Sequence, residues 1–336
     1  MELNTIALSD FVKLAGVIFV KGAMSVDQRA MTSGMFYTES IPQNTGNTRE
    51  YSEIDLEEYA SVKTQGGQAE RAKVQQGYSK TMTAYRVAKD IGITYEMRTQ
   101  NKYQEVVRRL TNLGSLAYNR RELDLTHRLT FGSATTYTNK EGDTIDISTG
   151  DALALFSTVK KVRGSSTTYR NILANNPQFS RGALEGMERL VVEETINQFA
   201  EKKSIPFDVL FTTDDPVTVN SVREFLRSTG SVDAGANSGV VNVFNAKYRH
   251  VILPLLATDK NGAVDTTKRK YWGLASTGYT TAYINTWEEP HMKVPSALNA
   301  GEEFSTDDWN FGVRAGYGIA IVNGVWVKVS YGNGQA

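Results

Sequence analysis

The side chains that most often carry catalysis or bind metals are sparse in this sequence of 336 residues. There is no cysteine, which excludes disulfides, thiolate metal sites and cysteine nucleophiles. The three histidines, His127, His250 and His291, stand apart from one another and form no HxxxH or HxH pair. Isolated histidines of this kind are more often core or surface residues than ligands. We therefore predict no metal site and no bound cofactor.

Carboxylates are the remaining source of chemistry. Adjacent acidic pairs occur at Glu57 and Glu58, Glu193 and Glu194, Asp214 and Asp215, Glu288 and Glu289, Glu302 and Glu303, and Asp307 and Asp308. Such pairs are usually solvated faces or helix caps, and their spacing does not match a calcium-binding loop. No GxSxG elbow, GxGxxG fingerprint or Walker loop is present. The sequence thus predicts no catalytic residue, and an uncharacterised soluble hydrolase is kept as a minor alternative.

Three helices are predicted by apolar residues at helical spacing. The strongest pattern covers residues 100–131, which at 1.5 Å per residue would form a spine of about 45 Å. A second helix is predicted at 181–203, with Ser180 as its N-cap. Asp215 and Pro216 stand where a cap and a first-turn proline belong, and they predict a third helix that ends near residue 228.

Strand patterns flank a polar segment, TQGGQAERAKVQQG, at residues 64–77. Residues 59–62 and 78–94 alternate like strands and predict a long hairpin, since the polar segment is longer than an ordinary turn. A small hairpin is expected at 132–150, and Asn323 with Gly324 predicts another tight hairpin turn. Because helices and strands segregate along the chain, the predicted fold class is α+β.

Residues 1–54 hold no period for long. We expect them to form an extended arm that is ordered by whatever it lies against. The best apolar run near the start, residues 14–20, is too short to span a membrane.

Charge is balanced overall and uneven locally. Lys and Arg number 37, as do Asp and Glu, which gives no global reason to expect nucleic acid or membrane as the main partner. Residues 59–89 contain six basic side chains and one acidic side chain, an excess of five positive charges. Acidic clusters occur at 50–58 and 288–308, which suits self-association through unlike surfaces, although chance clustering explains the pattern as well.

The order of these elements resembles the major capsid proteins of tailed double-stranded DNA phages, whose fold is shared with herpesvirus capsids. In that family an N-terminal arm precedes an extended hairpin, a long spine helix, a compact axial domain and a return strand. Ile93, Thr94 and Glu96 match the turn that commonly precedes the spine helix in the family. The resemblance covers nearly the whole chain.

A second motif is similar to a box found in Mu-like major head subunits. Gly150, Asp151, Leu155, Phe156 and Ser157 match that box loosely, and the segment NNPQFSRGALEGMERLV matches the helix that follows it. Where such heads have a histidine, this chain has Val159 and Lys160. The match is therefore partial at that point.

The resemblance implies a division of the chain into arm, hairpin and two domains. It assigns residues 1–54 to the N-terminal arm, 55–95 to the extended hairpin loop, 96–180 to a peripheral domain with its spine helix at about 100–131, 181–300 mainly to the axial domain, and 301–336 to C-terminal return strands. It also implies a structural role. Copies of the chain would form hexamers and pentamers of an icosahedral virion shell, assembled in the host cytoplasm around double-stranded DNA that is contacted without sequence specificity.

The implied partners are further copies of the chain, a separate scaffold protein and a portal, with a decoration protein as an optional partner and no membrane. The scaffold is expected to be separate because the hairpin begins within about 55 residues of the start. The residues expected to contact a neighbouring copy are Lys63, Gly66, Gly67, Arg71, Lys73, Gly77 and Lys80. No covalent crosslink is assigned to Lys73 or Lys80. The nearest alternative is an encapsulin-like nanocompartment shell.

Overall fold

The computed structural model describes residues 8–27, 32–40, 46–230, 241–294 and 308–334. These residues form five α-helices: α1 (Leu8–Asp27), α2 (Tyr95–Thr99), α3 (Tyr103–Thr130), α4 (Arg181–Glu193) and α5 (Pro216–Arg227). The long helix α3 confirms the spine predicted at 100–131. Helix α5 confirms the predicted cap, because the Asp215 side chain accepts a hydrogen bond from the Thr218 amide.

Five of the described strands have nine or more residues, and the others have two to four. In chain order they are β1 (Tyr37–Ser40), β2 (Thr48–Leu56), β3 (Val74–Thr83), β4 (Tyr85–Ile93), β5 (Thr136–Thr138), β6 (Thr144–Asp146), β7 (Lys160–Lys161), β8 (Thr168–Tyr169), β9 (Val209–Thr212), β10 (Arg249–Ile252), β11 (Trp272–Ala275), β12 (Ala282–Lys293), β13 (Trp309–Ile321) and β14 (Val327–Ser330). The small hairpin predicted at 132–150 is confirmed as the antiparallel pair β5 and β6.

One four-stranded sheet has the order β1, β12, β13, β4, and its long strands β12, β13 and β4 are antiparallel neighbours. Helices α1 and α3 cover one part of this sheet. Phe11 of α1 and Leu110 of α3 share a buried cluster with Phe311 and Val313 of β13. The spine therefore packs against both the first helix and the central strands, and Phe11 of the first helix also contacts β13.

Helices α1 and α3 approach each other closely at two glycines. A Cβ added to Gly114 would lie 2.2 Å from the carbonyl oxygen of Phe19, and one added to Gly22 would lie 2.1 Å from the carbonyl oxygen of Thr111. Only the absence of a side chain lets the two backbones pass at this separation.

The second four-stranded sheet has the order β10, β9, β11, β14. Its strands are short, and all except the edge strand β10 are buried. Helices α4 and α5 pack on it through Leu184, Met187 and Val222. Trp326 and Phe211 belong to a further cluster that also contains residues of the first sheet. A shared core therefore joins the two sheets.

The first 54 residues differ from the expected extended arm, because Leu8–Asp27 forms helix α1. Phe11, Ala15 and Phe19 are buried on one face, while Val17 and Met24 are exposed on another. Apolar residues thus stand on both faces, which hides the 3.6-residue period that reveals an amphipathic helix. Beyond α1, residues 37–40 and 48–56 are extended, as strands β1 and β2.

The predicted second helix is ten residues too long, since α4 ends at Glu193 rather than near 203. Beyond it, the Asn197 side-chain oxygen accepts hydrogen bonds from the amides of Phe199 and Glu201, and Ile196 pairs with Lys202. Asparagine side chains that bond nearby amides in this way favour turns over helix.

The tight hairpin predicted at Asn323 and Gly324 is wrong. Strands β13 and β14 flank this pair, but β13 belongs to the first sheet and β14 to the second. The Asn323 side chain accepts hydrogen bonds from Thr281 and the Val325 amide, and so it fixes a crossover between sheets. A further difference concerns residues 59–62, which lie outside any strand.

Candidate assembly surface: the hairpin and its platform

The expected hairpin is formed by β2 and β3, which pair in antiparallel fashion from Thr48 opposite Thr83 to Leu56 opposite Val74. The register shifts between Ser52 and Ile54, so Glu53 lies at an irregularity in the ladder. Residues 57–73 connect the two strands. We call the strand portion near Glu53 the root of the hairpin and residues 57–73 its tip.

The root contains a buried polar cluster built around Glu53. One carboxylate oxygen of Glu53 accepts a hydrogen bond from Gln198 Nε2 at 2.7 Å, and the other accepts one from Asn323 Nδ2 at 2.5 Å. Burial, followed by the negative charge of Asp55, raises the pKa of Glu53 to about 7. The root is thereby tied to the 195–203 turn and to the crossover at Asn323.

Asp55 makes the second set of contacts at the root. Its side chain is buried, lies 2.9 Å from Lys203 Nζ and accepts a hydrogen bond from the Gln198 amide at 3.2 Å. Lys203 also donates to the Tyr279 hydroxyl at 2.6 Å. Removal of either Asp55 or Lys203 is therefore expected to destabilise the root, because it leaves a partly buried charge uncompensated.

Gly77 of β3 faces this cluster. A Cβ at position 77 would lie 2.8 Å from Glu53 Oε2 and 3.0 Å from Gln198 Cδ. Gly77 is buried, and its carbonyl accepts a hydrogen bond from Arg163. Its glycine identity is therefore explained by close packing within its own subunit, and not by the flexibility that a place in the polar segment suggests.

The box formed by Gly150, Asp151, Leu155, Phe156 and Ser157 contacts strand β3 through its glycine. Gly150 approaches β3 so closely that a Cβ would lie 2.9 Å from Tyr78 Cβ, and its amide donates to the Val322 carbonyl at 2.8 Å. Asp151 forms a fully buried ion pair with Lys160 at 2.9 Å. Lys160, which departs from the family pattern, thus has a structural partner inside the box.

Lys80 is also engaged with its own subunit. Its ammonium lies 2.6 Å from Asp146 Oδ2 and 2.9 Å from Ser148 Oγ, at the end of the β5–β6 hairpin. Lys73 is more exposed and lies 3.5 Å from Glu57 and 3.9 Å from Glu70. These contacts neutralise part of the positive excess that the sequence predicts.

The tip carries the charges that remain available. Lys63 and Arg71 are exposed and form no ion pair with any described residue. Gly66 adopts a φ of +78°, in the region that favours glycine, and the Gly67 amide donates to the Thr64 carbonyl at 3.0 Å. These two glycines therefore form a turn at the end of the tip.

Some residues of the acidic clusters expected to receive these charges are used within the chain. Glu288 is buried, 2.8 Å from Arg314 and 3.3 Å from Arg86. Glu53 and Asp55 belong to the root. Glu302, Glu303 and Asp307 lie outside the described residues.

Sequence reasoning missed the apolar character of the hairpin surface. Ile54, Leu56 and Val74 are 65%, 57% and 63% exposed, and at the tip Tyr59 and Val62 are 66% and 96% exposed. Leu56 lies opposite Val74 across the ladder. The alternation of Ile54 and Leu56 was the available signal, because residues two apart share one face of a strand.

None of the three histidines belongs to the hairpin. His127 is buried near Thr258, His250 lies in β10, and His291 is exposed near Glu288. Among the described residues, no cluster of three His, Asp or Glu side chains could hold a metal ion.

Two cavities among the described residues bring together no pair of carboxylates, since one is lined by Asp215 as its single carboxylate and the other by none. None of the described helices combines the length and apolarity that a membrane crossing requires.

No family model and no curated protein matches the chain. Solved structures do match it. One from Gordonia phage Cozz has a TM-score of 0.50 at 9% identity and covers 89% of this chain and 85% of its own. The mature capsid of bacteriophage PhiM1 has a TM-score of 0.48 at 11% identity, with 89% and 86% covered. The virus-like particle from Pyrococcus furiosus has a TM-score of 0.47 at 13% identity, with 94% and 97% covered.

The fold is compared with the Cozz structure, because the other two have TM-scores below 0.5. The chain has a mixed α and β fold that it shares with the structure from Gordonia phage Cozz over most of its length. The fold class expected from the sequence is confirmed.

Proposed function

We propose that the chain is the structural subunit of an icosahedral virion head, in which many copies assemble through hexamers and pentamers around double-stranded DNA. The observation that carries this proposal is the hairpin, which is anchored at its root and exposes apolar side chains along its strands and tip. The fold shared with a tailed-phage structure supports the same role.

The exposed apolar residues of the hairpin favour contact with a neighbouring subunit. Val62 is 96% exposed, and Ile54 and Val74 are more than half exposed. Apolar area contributes about 25 cal/mol per Å² when it is removed from water. A neighbouring copy that covers these side chains would gain that free energy at every contact in a closed shell.

The contact residues expected from the sequence divide into two groups under this proposal. Lys63, Gly66, Gly67 and Arg71 lie at the tip and are the residues offered to a neighbour, with Lys73 at their edge. Gly77 and Lys80 contact the platform of their own subunit. They would act on assembly by holding the hairpin in place.

Further partners belong to the same proposal. A separate scaffold protein and a portal would direct assembly, a decoration protein would bind the finished shell, and DNA would lie against the inner face without sequence-specific contacts. Assembly would take place in the host cytoplasm. The division into an arm (1–54), a hairpin (55–95), a peripheral domain (96–180), an axial domain (181–300) and return strands (301–336) is proposed with it, except that the hairpin begins at Thr48, where its first strand β2 begins.

Electron microscopy of the expressed chain, alone and with its scaffold, tests the proposal. We expect closed particles from the wild-type chain and few or none from Val62→Asp, because the charge prevents burial of the tip. Val264→Asp is the matched control, since Val264 is 75% exposed and distant from the hairpin in sequence. A wild-type chain that stays a folded monomer even with the scaffold would refute the shell.

The nanocompartment shell gains no advantage from the comparisons. Neighbouring genes distinguish the two functions: terminase and portal genes accompany a phage head, whereas a peroxidase or ferritin-like gene would indicate enclosed enzyme cargo.

A further inference from the structure

A cavity of about 430 Å³ opens where helix α5 meets strand β10, away from the hairpin. Arg223, Leu226 and Arg227 line it from α5, and Tyr248, His250 and Ile252 line it from the segment that ends in β10. The volume lies in the range of small-molecule sites, which is about 300–1,000 Å³. The wall combines two guanidinium groups with aliphatic and aromatic surface.

The described lining of the cavity contains two arginines and no acidic residue. Arg223 and Arg227 are four residues apart and share one face of α5, where like charges repel. Neither forms an ion pair with any residue that the structure describes. Glu188 reaches the Tyr248 hydroxyl at 2.6 Å but is already paired with Lys247 at 2.7 Å. Two arginines are thus held together with no acidic partner among the residues that the structure describes.

His250 reports the same positive field. Its Nε2 lies 2.9 Å from the Thr212 hydroxyl, and that hydroxyl lies 3.0 Å from the Thr213 carbonyl. Burial, followed by the charges of Arg223 and Arg227, lowers the pKa of His250 to about 4.

We propose that this cavity binds the phosphate group of a small organic phosphate of the nucleoside phosphate class. Arg223 and Arg227 supply planar donors that match phosphate oxygens, and such charge-assisted bonds are stronger than neutral ones. Leu226 and Ile252 supply apolar surface for the organic part. The concave shape favours a small ligand over the backbone of a DNA duplex.

Calorimetric titration of the purified full-length chain with ATP tests this site. We expect saturable binding of one ATP per chain that weakens as salt is added, weaker binding of inorganic phosphate, and none of adenosine. The double variant Arg223→Gln, Arg227→Gln should weaken ATP binding at least about tenfold. Arg227→Lys, which keeps the charge and loses the planar fork, should give a smaller loss. Both arginines are exposed, so circular dichroism should show unchanged folding.

Arg108→Gln is the matched control, because Arg108 is an exposed arginine on α3 without an ion pair among the described residues. It should bind ATP as the wild-type chain does. The proposal is overturned if the wild-type chain does not bind ATP, if the double variant binds it equally well, or if a duplex oligonucleotide binds at these arginines and ATP does not. The titration follows the chain whether or not it forms particles, so its outcome is separate from that of the proposed shell.

Discussion

The root and the tip belong to the same hairpin, but the described residues of the subunit hold the root and not the end of the tip. At the root, Glu53 and Asp55 are enclosed by Gln198, Lys203 and Asn323 of the same subunit. At the tip, Lys63 and Arg71 have no ion-pair partner among the described residues, and Val62 is almost fully exposed. The difference separates two tasks: the root sets where the hairpin points, and the tip is left for another molecule.

Because of this contrast, only some of the basic side chains between residues 59 and 89 are available to a partner. A count along the sequence treats every lysine and arginine between 59 and 89 as available to a partner. In the folded chain, Lys80 is paired with Asp146, and Arg86 lies against Glu288 and the Trp287 ring. Substitutions at the root should therefore change subunit stability, whereas substitutions at the tip should change assembly alone.

The largest effect on stability is expected for Asp55→Ala at the root. The change leaves the Lys203 ammonium without its closest carboxylate in a partly buried site, and we expect a loss of about 3 kcal/mol in the free energy of unfolding. Glu70→Ala at the tip is the matched control, because Glu70 and Lys73 are exposed and 3.9 Å apart. It should change stability by less than about 0.5 kcal/mol. Urea denaturation of both variants makes the comparison, and equal losses would contradict the division into root and tip.

Gly77→Ala should have the next largest effect. The new methyl group would meet Glu53 and Gln198, whose side chains are held by hydrogen bonds and cannot move away freely. Overpacking of this kind costs about 2 kcal/mol. Gly182→Ala is the control, since a Cβ there meets nothing within 4 Å and the position lies in helix α4. Thermal unfolding should show a lower midpoint for Gly77→Ala and an equal or higher midpoint for Gly182→Ala.

The stability of the folded chain is expected to depend on pH through Glu53 at the root. The folded chain binds the Glu53 proton more tightly than the unfolded chain, because the pKa rises from 4.5 to about 7 on folding. Its contribution to stability is therefore complete below about pH 4.5 and is lost as the pH rises through 7. We expect a decline of about 1.5 kcal/mol between pH 5 and pH 8, less than the full linkage value because Glu53 is half-buried.

Glu53→Gln isolates this contribution. The amide does not titrate, so the decline between pH 5 and pH 8 should become shallower by the same amount. The variant also loses a hydrogen bond to Asn323 or Gln198, which lowers stability equally at every pH and leaves the slope unaffected. Denaturation at a series of pH values measures the slope, and an unchanged slope in Glu53→Gln would place the titrating group elsewhere.

The parts of the fold that the sequence predicts are those with strong local signals. The spine helix follows from its apolar spacing, and α5 follows from Asp215 and Pro216, because caps and periodicity act within a few residues. Helix α1 escaped prediction since Val17 and Met24 make its exposed face apolar as well. Asn323 and Gly324 have hairpin chemistry, yet their place between two sheets is decided by Thr281 and by packing against distant residues.

The candidate site follows the same rule. The position of the hairpin in the chain was predictable from the polar segment between strand patterns. Its root was not, because Glu53 meets Asn323 across 270 positions and Gln198 across 145. Such contacts arise only from tertiary packing. Ile54 and Leu56 did carry a local signal for an exposed apolar face, which a search based on charge passed over.

The smallest effect on stability, and a large one on assembly, is expected at the tip. Lys63→Glu combined with Arg71→Glu should leave the free energy of unfolding within about 0.5 kcal/mol of wild type, because neither side chain has an ion-pair partner among the described residues. Particle yield by electron microscopy should fall, since a closed shell repeats each altered contact in every copy. Lys140→Glu combined with Lys260→Glu makes the same change in net charge at exposed positions away from the hairpin strands and should assemble normally. If both double variants lose particles equally, net charge and not the tip governs assembly, and the separation of root from tip loses its functional meaning.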